Sequence, residues 1–165
     1  MPLGAPFRLG PFTVDEEGLL SPRGPDSFPS FRVHWQGRTV QARLTSPPAT
    51  LPGEGKLELQ ARLGRVPSTA DADPAQSLVR REKIFTELHD LASELPGEWH
   101  LRLAPDHSIR LDRPNPLAMP TSAVQLVTEV TLFLLALGPY LEVLDAAGVD
   151  SGAAGKLGTV KTWPG

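Results

Sequence analysis

The stretch that decides the fold is FRVHWQGRTVQARL, Phe31 to Leu44. Phe31, Val33 and Trp35 alternate with Arg32 and His34; beyond Gln36-Gly37, Val40, Ala42 and Leu44 alternate with Thr39, Gln41 and Arg43. A period of two sends successive side chains to opposite faces of a strand, and a two-residue turn with glycine is a favoured way to join two such strands. That turn sets Val33 opposite Val40 and Phe31 opposite Ala42, which is also the register that gathers the apolar side chains on one face. Turn geometry and hydrophobic pattern thus specify the same antiparallel hairpin.

Upstream of it, prolines at positions 2, 6, 11, 22, 25 and 29 leave room only for short extended pieces, Phe7 to Leu9, Phe12 to Val14 and Leu19 to Leu20. Asp15 to Gly18 reads as a turn between two of them, giving a ragged edge-type hairpin. Downstream, Leu57, Leu59, Ala61 and Leu63 alternate with Glu58, Gln60 and Arg62, a further half-buried strand. Asp73-Pro74-Ala75-Gln76 supplies an N-cap, a proline at the first helical position and a capping-box glutamine. The helix it opens carries Leu78, Phe85, Leu88, Ala92 and Leu95 at helical spacing and stops at Pro96-Gly97.

A second hairpin sets Trp99, Leu101 and Leu103 against Ile109 and Leu111 through a turn at Pro105-Asp106. An extended proline-bearing segment, RPNPLAMP, follows; Ser122 and Gln125 then cap a final helix from about Ala123 to Ala147, with a kink expected at Gly138-Pro139. The predicted fold is α+β: a twisted antiparallel sheet of about five to seven strands with two helices, in the order β-hairpins, helix, β-hairpin, helix. Residues 1–147 form a single domain in this reading and 148–165 a flexible glycine-rich C-terminal tail.

Composition narrows the function. A chain of 165 residues can bury a core of its own. With no cysteine it holds neither disulfide nor thiolate chemistry. MPLGAPFRLG carries prolines where a secretory signal needs an unbroken apolar run, so a cytoplasmic location is expected. The longest uncharged apolar run, Val130 to Leu141, falls short of the ~20 residues of a bilayer crossing, and no membrane association is expected. A net charge of -3 gives no general reason to bind nucleic acid.

No chemistry-bearing motif stands out. SGAAGKLGTV, Ser151 to Val160, has Asp150 where a phosphate loop needs its first glycine and Leu157 where it needs a hydroxyl. Asp106, His107 and Ser108 are contiguous, whereas a nucleophile, base and orienting carboxylate are drawn from separate segments. Glu98, His100 and His107 could meet at one end of the second hairpin, the basis of an alternative reading as a small-molecule-binding protein or enzyme with a pocket between sheet and helices. No histidine spacing matches a metal motif, and neither catalytic residues, metal nor cofactor are assigned.

Two features suggest binding instead. Arg32, Arg43, Arg62, Arg102 and Arg110 all fall on the polar phase of their strands, with Glu58 as acidic company, which makes a positive sheet face in an acidic chain. The expected contacts to a protein or peptide segment are Arg32, His34, Arg43 and Arg62, with Trp35 and Arg38 stacked at the hairpin tip. The final helix is apolar nearly all round, so either the other helix and the N-terminal segment or a partner subunit must supply a second cover; a homodimer is expected, with Leu132, Phe133, Leu134 and Leu137 in its interface.

GKLELQARLGRVPS, the amphipathic helix, WHLRLAPDHSIRLDR, the proline-bearing connector and the long apolar helix together resemble the type III secretion chaperone family and its relatives without a secretion role. The resemblance covers roughly Phe31 to Ala147 and rests on element order and apolar spacing. It implies a small cytosolic homodimer, non-enzymatic, that holds a partner chain extended along sheet edges and apolar grooves. The family usually begins with a helix, where this chain has a proline-studded extended segment.

Overall fold

The computed structural model describes residues 4–23, 28–45, 54–68, 70 and 73–151. Three short strands open the chain, β1 (Phe7–Leu9), β2 (Phe12–Val14) and β3 (Leu19–Pro22), in the gaps the prolines leave. The central strands β4 (Ser30–Trp35), β5 (Arg38–Thr45) and β6 (Glu54–Arg65) lead to helix α1 (Pro74–Glu94). Strands β7 (His100–Leu103), β8 (Ser108–Ala118) and β9 (Thr121–Ser122) precede helix α2 (Ala123–Ala147). This is the α+β architecture the sequence predicts.

The strands divide differently from expectation. Two antiparallel sheets form in place of one: a five-stranded sheet in the order β4-β5-β6-β8-β7 and a four-stranded one in the order β1-β2-β3-β9. Val33 pairs with Val40 and Phe31 with Ala42, the predicted register. Gln36 and Gly37 both have positive φ, 46° and 72°, as a mirror-image turn matched to strand twist requires. The proline connector is itself strand: β8 runs on through Pro114 and Pro116, opposite Glu58 and Lys56 of β6. Proline is tolerated there because β7 pairs with β8 only as far as Asp112, so beyond it β8 is an edge.

One face of the five-stranded sheet is core. Val40, Ala42, Leu44, Leu57, Leu59, Ala61, Leu63, Ile109 and Leu111 are buried in one cluster with both helices and with Phe12, Val14 and Leu20 of the small sheet. Asp73 caps α1, its carboxylate accepting from the amides of Ala75 and Gln76 at 3.2 and 3.4 Å. The buried stripe of α1 is Ser77, Ile84, Leu88 and Leu91, rotated from the expected one; Leu78 and Phe85 are exposed. Ser122 caps α2 by accepting from the amide of Gln125 at 3.1 Å, and the helix is continuous through Pro139. Its 25 residues include an 18-residue window of mean hydropathy 1.6, long and apolar enough to cross a membrane by those measures alone. Here one side of it is core, with Phe133, Leu137, Leu141 and Leu144 fully enclosed.

Arg38 ties three elements together. It is 5% exposed, pairs opposite Trp35, and lies on the apolar phase with Val40. Its guanidinium donates to the carbonyls of Leu63 and Gln36, each at 3.1 Å, and forms an ion pair with Asp145 near the end of α2. Leu63 sits in a β-bulge between Arg62 and Gly64. A bulge takes a residue out of the ladder, and the Arg38 fork serves the carbonyl there. Beyond the bulge, Gly64 has φ 155°, and a Cβ there would stand 2.3 Å from Val149 Cγ1 and 2.6 Å from the Asp150 carbonyl oxygen.

That close approach corrects the start of the predicted flexible tail, 148–165, at residues 148–151. Gly148 closes α2 in the left-handed conformation, Val149 is buried, and the Arg65 amide donates to the Asp150 carbonyl at 2.9 Å. Residues 148–151 therefore pack with the body of the fold; residues 152–165, with most of SGAAGKLGTV, lie outside the described residues.

Candidate partner-binding face

The other face of the five-stranded sheet is polar, and pairing sorts its side chains into rows. One row runs Arg32, Gln41, Gln60, Asp112, His100; the next runs His34, Thr39, Arg62, Arg110, Arg102. Arg43, Glu58 and Pro114 form a third, and Thr45, Lys56 and Pro116 a fourth. Among the described side chains of these rows the cations are Arg32, Arg43, Lys56, Arg62, Arg102 and Arg110, and the carboxylates are Glu58 and Asp112. A chain with net charge -3 thus concentrates positive charge on one sheet face.

Three arginines stand side by side in the second row, and like charges directly opposite across strands are destabilising. Two of the three are compensated. Arg102 pairs with Asp112, which also accepts from Gln60 Nε2 at 2.8 Å. Arg110 Nε donates to Ser108 Oγ at 3.2 Å, and its guanidinium lies 3.8 Å from Asp106. The hydroxyl and amide of Ser108 hold the Asp106 carboxyl below its ordinary range, with smaller contributions from Arg110 and Arg62. Arg62 itself makes no hydrogen bond or ion pair among the described residues. Arg43 lies over the Phe28 ring at 5.0 Å, and Lys56 stands 3.5 Å from Glu58. A polar hollow of ≈ 420 Å³ opens among Arg43, Glu58, Gln60, His100 and Arg102.

Among the described residues the face ends at an unpaired strand edge, that of β7. The Ala104 amide donates to the Ser108 carbonyl at 2.9 Å, which fixes the phase of the β7–β8 ladder. Arg102 and His100 then share ladder bonds with Arg110 and Asp112, and the backbone groups of Leu101 and Leu103 point to the open side. Beside that edge a groove of ≈ 280 Å³ is lined by Phe85, Leu88, Ala92, Leu101 and Leu103. Phe85 and Leu103 are 41% and 46% exposed. The opposite edge, β4, carries Arg32 and His34, charge and polarity of the kind that guards sheet edges.

Of the residues singled out in the sequence, Arg32, His34, Arg43 and Arg62 are exposed together on this face. Trp35 and Arg38 are not: both fall on the core phase of the hairpin, Trp35 half-buried against the core and Arg38 bonded inward. The proposed interface on α2 also changes. Phe133, Leu134 and Leu137 are buried, because they lie on the sheet-facing side of the helix, and Leu132 alone is exposed. Lys56 and Asp112 also belong to this face without having been singled out in the sequence, and Phe85, assigned there to the apolar stripe of the helix, lines the groove; Asp112 shares the parity of Arg110 and opposes that of Leu111, a signal legible in the sequence.

Glu98 and His100 line one open hollow of ≈ 480 Å³ with Lys56 and Pro114. His107 is in the β7–β8 turn at φ 62°, at the far end of β7 from His100, so the three do not meet at one end of the hairpin. Among the described residues no three of histidine, cysteine, aspartate and glutamate gather as a metal-holding group. Compared with known proteins, the chain matches no family model, no curated protein and no solved structure.

Proposed function

We propose that this chain is a non-enzymatic, secretion-chaperone-like binding module that holds an extended, acidic segment of another protein on its five-stranded sheet. The observation that carries the reading is the row Arg62, Arg110, Arg102, three guanidiniums in register that lead to the free edge of β7. Arranging like charges side by side costs stability, and an anionic ligand offsets that cost. The edge supplies backbone donors and acceptors, while the groove beside Phe85 selects side chains, the division of labour in strand addition. The element order of hairpins, helix, hairpin and helix supports the likeness to the chaperone family.

The test is fluorescence anisotropy with a short labelled peptide alternating glutamate and leucine, against a lysine-leucine control. The glutamate peptide is expected to bind, with an affinity that falls as salt rises. Arg62→Glu should weaken it about tenfold or more, since the substitution replaces an attraction by a repulsion. Equal binding of both peptides, or indifference to Arg62→Glu, would sink the reading. A small-molecule-binding protein or enzyme that uses the open hollow at Glu98 and His100 is the competing reading, and saturable binding of a metabolite blocked by His100→Ala would favour it.

A further inference from the structure

The bulge in β6 brings together a second pair of cations. Regular alternation would send Arg65, three residues after Arg62, to the core face. The extra residue of the bulge reverses that phase: Arg62 pairs with Arg110 and Arg65 with Ser108, two positions on the same side of β8. Both arginines are therefore exposed on the polar face, one after the other along β6, and neither side chain has a hydrogen bond or ion pair among the described residues. Like charges held so close repel unless an anion lies between them.

A hollow of ≈ 370 Å³ opens beside this pair, at the small end of the range of ligand clefts. Its walls come from separate parts of the chain: Gly37 and Thr39 at the β4–β5 turn, Gly64 in the bulge, and Asp150 and Ser151 after α2. Arg38 lines it as well, its side chain only 4% exposed. A guanidinium carries five N–H donors. Arg38 donates one to Leu63, one to Gln36 and two to Asp145, so the fifth, on Nη2, has no acceptor among the described residues. A charged donor buried without an acceptor costs free energy that a ligand oxygen would recover.

Three guanidiniums around one hollow select a tetrahedral oxyanion. A carboxylate has two oxygens and is satisfied by one planar fork, whereas a phosphate group presents three or more and accepts from several guanidiniums at once. Gly37 and Gly64 have no side chain to hold an ion away from the backbone. Asp145 already balances Arg38, which leaves Arg62 and Arg65 against the one carboxylate of the lining, Asp150. That balance suits a single phosphate and disfavours a polyphosphate chain. We propose that the hollow at the β6 bulge binds a phosphate group, inorganic or carried by a small monoester, through Arg62, Arg65 and the fifth donor of Arg38. Strand β8 separates this site from the β7 edge, and Arg62 alone is shared with the row assigned to the peptide.

The experiment is amide proton–nitrogen NMR of the full chain, titrated with sodium phosphate, glycerol phosphate, glycerol and sodium acetate at constant pH and ionic strength. Phosphate or glycerol phosphate is expected to give saturating shifts at the amides of Gly37, Thr39, Gly64 and Arg65 in the millimolar range or below, with acetate at least about tenfold weaker and glycerol without effect. The tighter of the two phosphates identifies the source: glycerol phosphate ahead marks a monoester site, and inorganic phosphate level or ahead marks a site for the free ion. Arg65→Gln should weaken binding about tenfold with unchanged far-UV circular dichroism, and Arg65→Lys should recover only part, because an ammonium cannot form the fork. None of these readouts involves the glutamate peptide, so this site and the peptide-binding reading can fail separately. Absence of saturating shifts at these four amides, acetate binding as tightly as phosphate, or affinity indifferent to Arg65→Gln overturns the proposal.

Discussion

An arginine that shares strand parity with a fully buried valine points inward whatever its charge. Arg38 has the parity of Val40, Ala42 and Leu44, and its guanidinium is spent on Asp145 and on the carbonyls of Leu63 and Gln36. Removing Arg38 leaves the Leu63 and Gln36 carbonyls without their donor, whereas the Asp145 side chain, 52% exposed, is taken up by water. Arg38→Ala is therefore expected to lower unfolding free energy by about 1–3 kcal/mol in urea titration, and Arg38→Lys to recover only part, because an ammonium cannot form the fork. A loss within about 0.5 kcal/mol would show that the network contributes little. Trp35 obeys the same parity rule with Phe31 and Val33, and its ring nitrogen is buried without a partner among the described residues. Both positions were legible by counting; chemistry suggested a surface pair, and the period of two decided otherwise.

At the scale of elements, strands were read more surely than helix faces. Alternation leaves two choices per strand, and the pairing of Val33 with Val40 was fixed by the turn. A leucine-rich helix leaves many more. In α2, Leu132, Leu134, Leu135 and Leu137 look alike in sequence, and only the sheet and α1 decide that Leu137 is enclosed and Leu132 is 53% exposed. The same chemical change at the two sites isolates that difference. Leu137→Ala should cost about 2–5 kcal/mol of unfolding free energy, and Leu132→Ala less than about 1 kcal/mol. Equal losses would mean the helix is rotated from the position described. The prolines of β8 were harder still: Pro114 and Pro116 look like chain-breakers, and nothing local reveals that β7 stops short and makes their strand an edge.

For the whole molecule, the sorting of charge is what local reading could anticipate only in part. The polar phase of each strand was evident, but the direct juxtaposition of Arg62, Arg110 and Arg102 depends on strand order, which brings β8 between β6 and β7. If that row exists for a ligand, the empty protein is less stable than it could be. Arg62→Gln is expected to leave stability unchanged or raise it by about 0.5 kcal/mol at low salt, while glutamate-peptide affinity falls. Destabilisation by this exposed substitution would assign the row to the fold instead.

The small sheet adds a constraint of a different kind, on the order of assembly. Strand β3 finds its partner β9 only after the whole central sheet and α1 have intervened in the chain, Leu19 pairing with Ser122. Closing so long a loop is slow until other contacts have already shortened it. The hairpin of β4 and β5 can condense early and alone, whereas the four-stranded layer acts as a late clasp, shut once α2 has brought β9 within reach.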